Sequence, residues 1–300
     1  MLFRLGDNMV ITNNDITLLS NTAVALGAFD GVHIAHGVLI NNAVMYAKEN
    51  RVKSCVFTFD VNPKDSKLIT TNKERQDIFE LMGADVLFLK QFDDSLKNLE
   101  PAEFLNMYLK NCRYICVGFN FKFGKDRKGS TKDIEEFCKN NNIDFDIVDA
   151  VEYNGEVVSS SLIRENVAKS DFNTAKEMLG RNYFVTGTVE KGDKIGVTLG
   201  FPTANIVPDS IITGDGVYLT YTTVDGKRYK SVTNVGGKPT IRGGVNRVET
   251  HIIDYSGDAY GKEIKVEFIK KIRDTIKFEN TDSLKSQLKN DVNIAKTELL

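Results

Sequence analysis

The first 150 residues alternate short apolar runs with longer segments of helical periodicity. The apolar runs lie at 24–26, 55–59, 85–89, 114–117 and 145–148. The amphipathic segments between them lie at 36–50, 72–82, 101–111 and 131–141. Near-continuous apolar strands separated by helices are typical of a parallel sheet covered on both faces. The pattern therefore predicts a doubly wound, Rossmann-like α/β domain with its ligand at the carboxyl ends of the strands.

The pattern changes near residue 183, where β-rich stretches separated by turn residues replace the helical segments. These stretches lie at 183–189, 216–224, 228–234, 247–254 and 262–271. They predict an antiparallel barrel or sandwich, of which we favour the barrel. A last helix is expected to be capped by Thr281 or Asp282, because such side chains accept bonds from first-turn N–H groups. Its apolar face would consist of Leu284, Leu288, Ala295 and Leu299.

We therefore predict two domains. Residues 1–182 would form the α/β domain together with a helical connector over 161–181 that ends near Gly180, and residues 183–300 would form the barrel. The length of 300 residues fits this division, since one domain typically takes about 100–200 residues.

Composition and charge narrow the class of protein. The formal net charge is −2, from 39 basic and 41 acidic residues, so we expect no nucleic-acid partner attracted by the overall field. The basic stretch 122–128 leaves an RNA-binding interpretation open beside that of a solvated face. The chain has no apolar run of membrane-spanning length, no secretory-type start and no Cys-x-x-Cys pair, which predicts a cytoplasmic protein without a membrane partner. No pattern predicts an oligomeric state.

The turn after the first strand carries the first candidate chemistry. It reads Gly27-Ala-Phe-Asp-Gly-Val-His33-Ile-Ala-His36 and leads directly into a helix. A glycine-bearing turn between strand and helix directs backbone N–H groups at a bound phosphate. Two imidazoles three residues apart could stabilise the charge on a reacting phosphoryl group. A metal pair is the alternative, but zinc needs a third ligand, and His251 is the only other histidine.

Three segments together resemble the first domain of the bacterial bifunctional riboflavin kinase/FAD synthetase family. They are 27–36, Val117-Gly-Phe-Asn-Phe-Lys-Phe-Gly124 and Ser159-Ser-Ser-Leu-Ile-Arg164. The resemblance implies a nucleotidyltransferase in which His33, His36 and Arg164 stabilise phosphate charge. It implies further ATP contacts at Gly27, Phe29, Asp30, Gly31, Asn120, Arg127, Ser160 and Ser161.

The chain departs from this family pattern at two places. Ala35 stands between the two histidines, where the family has glycine. Asp60-Val61-Asn62-Pro63 stands in the stretch where the family usually has Phe-x-Pro-His-Pro.

The second candidate site is Leu199-Gly-Phe-Pro-Thr-Ala-Asn205. Thr203 and Asn205 alternate in an extended segment, so their side chains point the same way, and their oxygens suit Mg²⁺. The stretch 200–205 resembles the kinase motif of the same family, and 187–196 is similar to its glycine-bearing flap. The resemblance implies Mg²⁺ at Thr203 and Asn205. It implies ATP and flavin contacts at Gly187, Gly192, Gly196, Gly200, Pro202, Thr203, Asn205, Asn234 and Arg273.

Glu249 lies in a stretch of alternating residues, which places Glu249 and His251 on one strand face and Thr250 on the other. Such a carboxylate is either a solvent-face residue or a placed base. The resemblance implies the catalytic base, which takes the proton of the attacking hydroxyl. His251 is expected to be structural.

The resemblance covers almost the whole chain. It implies an enzyme that phosphorylates riboflavin to FMN with Mg²⁺ and ATP and then adenylylates FMN to FAD with release of pyrophosphate. Three alternatives stay open at this point: a riboflavin kinase with a degenerate first domain, a non-catalytic flavin-binding regulator, and a nucleotidyltransferase for another phosphate ester.

Overall fold

The computed structural model describes residues 9–61, 67–192, 195–211, 213–237 and 246–299. The chain divides into two compact units, Met1–Ser160 and Ser161–Leu300. The helices of the connector fall in the second unit, and the domain boundary after Asn182 stays a prediction.

The first unit is built on a parallel sheet whose six strands follow the order β1-β4-β3-β2-β5-β6. The strands are β1 Val10–Thr12, β2 Thr22–Leu26, β3 Lys53–Phe59, β4 Val86–Lys90, β5 Tyr114–Gly118 and β6 Asp144–Val148. The helices are α1 Ile34–Asn50, α2 Asn72–Leu81, α3 Asp94–Lys97, α4 Pro101–Phe104 and α5 Thr131–Asn141. A short hairpin of β7 Glu152–Tyr153 and β8 Glu156–Val157 follows. This confirms the predicted α/β fold.

The sheet is covered on both faces, as its continuous apolar strands predict. Along β2, Val24 and Leu26 pack into one apolar core, whereas Ala23 and Ala25 pack into the core on the opposite face. Burial on both faces explains why these strands are apolar throughout rather than alternating. The edge strand β1 was not predicted, because it has only three residues and none of them is fully buried.

The strand order reverses at β2, which pairs with β3 on one side and with β5 on the other. In doubly wound sheets a ligand binds outside the carboxyl ends of the strands at such a reversal. Gly27 follows the end of β2, and Asn120 lies two residues beyond the end of β5. The topology therefore brings the first two candidate motifs to the ligand-binding edge of the sheet.

The second unit contains an antiparallel sheet in the order β10-β13-β12-β11-β14-β9. The strands are β9 Phe184–Thr188, β10 Ala204–Ile206, β11 Gly216–Val224, β12 Lys227–Gly237, β13 Asn246–Ile252 and β14 Glu263–Arg273. The helices are α6 Ser160–Ala168, α7 Phe172–Leu179, α8 Ile195–Leu199 and α9 Thr281–Glu298. The N–H of Glu190 donates to the Asn205 carbonyl at 2.8 Å, which joins the two edges of the sheet. This confirms the predicted barrel, which is nearly closed.

The two faces of the barrel sheet differ in chemistry. Its inner face carries a fully buried hydroxyl network made of Thr220, Thr222, Ser231, Thr233 and Thr250. On the outer face, Val217 and Leu219 pack against Ala295 of α9 and against Leu299, which caps the end of that helix. The helix thus covers part of the outer face of the sheet, while other outer-face positions carry polar residues.

The ends of the helices test the capping predictions. Gly180 caps α7 in the left-handed conformation at φ 69°, as expected. The predicted cap of α9 at Thr281 or Asp282 is wrong, because Asn280 accepts the N–H of Ser283 at 2.9 Å. Three consecutive residues here are good caps, so composition alone does not choose among them. No helix in the described part of the chain is both long and apolar enough to cross a membrane.

Candidate functional site

The turn after β2 holds three residues whose backbone φ angle is positive. Phe29, Gly31 and Val32 have φ angles of 47°, 79° and 40°. Positive φ is strained for a β-branched residue such as valine and persists only where the surroundings determine it. Such strain clusters at ligand-binding sites, so the turn is itself a candidate site feature.

Hydrogen bonds to neighbouring segments hold this turn in place. Thr70 Oγ1 accepts the N–H of Gly31 at 3.1 Å, and Asp30 Oδ1 accepts the N–H of Ile69 at 2.7 Å. Ser160 Oγ donates to the Asp30 carbonyl at 2.9 Å. Asp30 therefore shapes the turn through its side chain, and the start of the third motif contacts the first.

His33 and His36 lie side by side at the start of α1. Their rings stack with centroids 3.5 Å apart, and the edge of Phe29 meets the His36 ring at 5.2 Å. His33 is the N-cap of the helix, with its Nδ1 accepting the backbone N–H of His36 at 3.3 Å. Because Nδ1 acts as an acceptor, the ring proton of neutral His33 lies on Nε2. The pair is thus oriented by the helix terminus, where a phosphate also binds favourably.

The second motif forms a tight turn beyond β5. Gly124 has a φ of 69°, and a Cβ there would lie 2.9 Å from the Pro101 ring, so only glycine fits. Phe123 and Gly129 pair across the turn. Asn120 and Arg127 are both exposed on this segment. Their contact with ATP stays a prediction, as does that of Ser161 and Arg164 on α6, both of which belong to the second unit.

Of the two places where the chain departs from the family pattern, the structure describes the first completely and the second only in part. Ala35 lies in the first turn of α1, between the two histidines, and is half-buried. Asn62 and Pro63 lie outside the described residues.

In the barrel, the candidate base Glu249 has an asparagine directly opposite on each side. Strand β13 pairs Glu249 with Asn205 of β10 and with Asn234 of β12. Directly opposite residues share a sheet face, with Cβ atoms about 5 Å apart. The three polar side chains therefore form one row on the outer face, opposite the buried hydroxyl network. Sequence alternation predicted the face of Glu249, whereas the row itself depends on strand register.

Gly192 and Gly196 lie against the proposed Mg²⁺ ligands. A Cβ on Gly192 would lie 2.5 Å from Asn205 Nδ2, and one on Gly196 would lie 3.6 Å from Thr203 Cγ2. Gly196 is itself close to the Phe201 carbonyl, at 2.3 Å from an added Cβ. The glycines thus let the backbone approach both side chains. Gly187 similarly has room for no Cβ beside Ile206, and Gly200 has a φ of 84°.

We predict that Gly192→Ala raises the KM for ATP of the kinase reaction that the resemblance implies by about tenfold, because the methyl group would displace the Asn205 side chain. Gly214→Ala is the matched control, since its nearest added contact is an ordinary 3.6 Å. Steady-state kinetics with varied ATP measure both variants. Equal ATP KM values for the two would contradict the assignment of the close approach to the nucleotide site.

His251 and Pro202 have structural contacts with each other. The His251 Nδ1 lies 2.8 Å from the Pro202 carbonyl, and its ring meets Phe201 edge-on at 5.4 Å. This bond ties the turn of the kinase motif to β13, next to Glu249.

Arg273, a predicted ATP or flavin contact, is engaged with helix α9. Its Nη2 donates to Asp291 Oδ2 at 2.7 Å, and Gln287 donates to the other carboxylate oxygen at 2.8 Å. Asp291 is 1% exposed. A ligand-binding role of Arg273 stays a prediction, while its bond to a buried carboxylate fixes α9 against β14.

We predict that Asp291→Ala destabilises the protein by about 3–5 kcal/mol, because removing one partner leaves a partly buried guanidinium without its counter-charge. The exposed pair Lys270–Glu298 joins the same helix and strand at 2.8 Å and serves as a matched control. Glu298→Ala should cost less than about 1 kcal/mol. Denaturant unfolding measures both, and similar losses would contradict the structural role of Asp291.

Sequence reasoning missed several buried charged residues, among them Arg75 and Asp291. Both are 1% exposed. Both lie in amphipathic helices among exposed charges, so the apolar periodicity conceals them. The only available signal was that each occupies a position close to the apolar face of its helix.

Comparisons with known proteins agree with the two-unit architecture. A family model for FAD synthetase matches residues 15–162, and one for riboflavin kinase matches residues 179–299. The "Bifunctional riboflavin kinase/FMN adenylyltransferase" of Bacillus subtilis is 33% identical over 91% of this chain and 90% of its own length. The protein of that name from Haemophilus influenzae is 32% identical over 95% and 96%.

A solved structure extends the similarity to three dimensions. The crystal structure of a Streptococcus pneumoniae protein described as a macrolide-efflux protein has a TM-score of 0.87 and 30% identity. The match covers 97% of this chain and 99% of the other. With both family models matched in order and relatives similar over nearly their full length, the chain belongs to the bifunctional riboflavin kinase/FMN adenylyltransferase family.

Proposed function

We propose that the barrel phosphorylates riboflavin to FMN and that the α/β unit adenylylates FMN to FAD. Glu249 would be the base of the first reaction, and His33 and His36 would stabilise phosphate charge in the second. The row of Glu249 between Asn205 and Asn234 carries the kinase assignment. It puts a carboxylate beside the motif expected to hold ATP. The oriented histidine pair at the strand reversal supports the adenylyltransferase.

The residues present fit Mg²⁺ bound with ATP. Asn205 Nδ2 donates to the Thr203 carbonyl at 3.3 Å, so its Oδ1 remains the acceptor atom of the amide. Mg²⁺ is usually held by one or two protein oxygens together with substrate phosphates and water. Thr203 and Asn205 would supply those oxygens. The ion would neutralise charge on the phosphates during transfer.

In the kinase reaction, Glu249 would accept the proton of the riboflavin 5′-hydroxyl as its oxygen attacks the γ-phosphorus of ATP. The bond between the γ-phosphorus and the ADP oxygen breaks, so FMN and ADP leave. Gly187, Gly192 and Gly196, the glycines of the flap that the resemblance implies, would let the backbone approach the phosphates. Positioning and charge stabilisation contribute most to such a transfer.

In the second reaction, a phosphate oxygen of FMN would attack the α-phosphorus of ATP, and pyrophosphate would leave. His33 would donate from Nε2 to a phosphate oxygen, because its Nδ1 is held by the His36 N–H. His36 would stabilise charge on the same phosphates, and for Arg164 the resemblance alone implies a role in stabilising phosphate charge. Donors fixed in advance at the developing charge are typically the largest contribution to catalysis.

The substrates are thus small molecules, and their charge is met locally. The basic stretch 122–128 has ion pairs of its own, from Lys125 to Glu100 at 3.8 Å and from Lys128 to Asp126 at 3.7 Å. These contacts favour a solvated surface over a nucleic-acid site. All four cysteines are free and buried, which supports our proposal of a reducing, cytoplasmic setting.

Two incubations test the proposal. Riboflavin, Mg²⁺ and ATP should yield FMN with ADP, and FMN with Mg²⁺ and ATP should yield FAD with pyrophosphate. Flavins are separated by chromatography, and the phosphate products are measured enzymatically. Absence of FMN from the first incubation would overturn the kinase assignment. FMN without FAD from the second would show a degenerate adenylyltransferase.

A further inference from the structure

Arg75 is a charged residue in the interior of the first unit. It lies at the start of α2 and is 1% exposed, and it is the largest fully buried side chain among the residues that the structure describes. Burying a guanidinium is unfavourable unless its N–H groups are bound and its charge is compensated. Its partners therefore indicate what the burial achieves.

The guanidinium bridges two segments that lie at the carboxyl end of the sheet. Arg75 Nη1 donates to the Ala28 carbonyl at 2.8 Å and to Thr58 Oγ1 at 3.2 Å. Arg75 Nη2 donates to the Phe59 carbonyl at 2.6 Å and also to Asn72 Oδ1. One planar group thus ties the turn after β2 to the end of β3.

Two carboxylates compensate the buried charge. Burial lowers the pKa of Arg75 to about 10, while attraction to Asp30 and Asp60 opposes that shift. The side chain is therefore charged at neutral pH. Asp30 belongs to the strained turn and Asp60 follows β3, so the compensation comes from the same two segments that the guanidinium bridges.

The bonds to Ala28 fix the orientation of one peptide group. Its carbonyl accepts from Arg75 and from Thr58 Oγ1 at 3.0 Å. Because a trans peptide is planar, the N–H of Phe29 points away from the guanidinium. Phe29 has a positive φ and its ring meets His36, so rotating this peptide would move the turn that leads to the histidine pair.

We propose that Arg75 is a positioning residue for adenylyl transfer, which holds the Ala28–Phe29 peptide and the end of β3 in the geometry that the reacting phosphates require. The inference rests on the proposed function of the first unit. Arg75 acts through the turn and does not itself touch substrate. Its expected signature is a loss of turnover in FAD synthesis, with FMN binding and the kinase reaction preserved.

The test compares both reactions on one preparation of Arg75→Met, a substitution that keeps an unbranched side chain in the buried space. We expect kcat for FAD formation from FMN to fall about a hundredfold, since a displacement of about 1 Å can cost that much. The KM for FMN should change by less than about twofold. The riboflavin kinase rate should equal that of the wild-type chain, because that reaction takes place in the other unit, and a wild-type circular dichroism spectrum checks that the first unit is folded.

Two further variants guard against a simple loss of folding. Thr58→Val removes the other donor to the Ala28 carbonyl and should lower the same kcat about tenfold with an unchanged kinase rate. Ile134→Val, a buried change on α5 away from the turn, should leave both reactions unchanged. A wild-type kcat for FAD formation in Arg75→Met, or in Thr58→Val if Arg75→Met does not fold, would overturn this inference alone. Wild-type protein that forms no FAD from FMN would overturn the proposed function, and this inference with it.

Discussion

Glu249→Gln is expected to lower the turnover of riboflavin kinase at least about a hundredfold, because glutamine keeps the shape of the side chain but cannot accept a proton. Glu249 lies between Asn205 and Asn234 in a row of side chains that crosses three strands. The substitution therefore removes the negative charge and keeps the packing of the row. The rate of FMN formation under saturating riboflavin and ATP measures the effect. The KM values should change little, since the proton is transferred in the transition state.

The bifunctional chain supplies its own control for this substitution. FAD formation from FMN takes place in the other unit and should be unchanged in Glu249→Gln. Glu263→Gln, an exposed carboxylate of β14, controls for loss of a negative charge on the barrel. Unchanged FMN formation in Glu249→Gln would refute the assignment of Glu249 as base.

His33→Asn is expected to lower FAD formation from FMN about 10²–10³-fold, the typical cost of losing one preorganised donor to a developing charge. The substitution separates catalysis from capping, because asparagine is as good an N-cap as any residue. The variant should therefore keep α1 and its stability while losing the imidazole. Steady-state FAD synthesis and denaturant unfolding measure the two properties.

His33→Ala, measured beside His33→Asn, separates the catalytic effect of the imidazole from its effect as a helix cap. It removes both the imidazole and the cap, which costs about 0.5–2 kcal/mol of stability. Both variants should lose FAD formation equally, and only the alanine variant should lose stability. If the asparagine variant instead keeps its FAD synthetase rate, His33 serves only as a helix cap. The riboflavin kinase rate should be unchanged in both.

Much of the fold follows from the sequence because its signals are local. Periodicity of 3.6 or 2 and continuous apolar runs predicted the longer helices and most buried strands of both units, whereas the short helices α3 and α8 were not predicted. The edge strand β1 and the motif strand β10 escaped, as each has only three residues. A strand that short has too few positions to establish an alternation.

The site was predictable only in part, for the same reason. The motifs identify Glu249, Asn205 and the histidine pair individually. That Glu249 and Asn205 are direct cross-strand partners depends on register between distant strands, which the pairing of whole strands determines. Arg75 shows the limit most clearly, since a charged residue in an amphipathic helix is usually solvated. It is buried because backbone carbonyl groups accept hydrogen bonds from its guanidinium, and the sequence does not show where backbone groups will lie.

The central claim is that one chain carries out two consecutive reactions in two units, and a time course with riboflavin as the only added flavin tests it most directly. With Mg²⁺ and ATP, we expect riboflavin to fall, FMN to rise first, and FAD to accumulate after a lag as FMN declines. Separation of the three flavins at successive times gives all three curves. Riboflavin that stays unchanged, or FMN that accumulates without any FAD, would contradict the account.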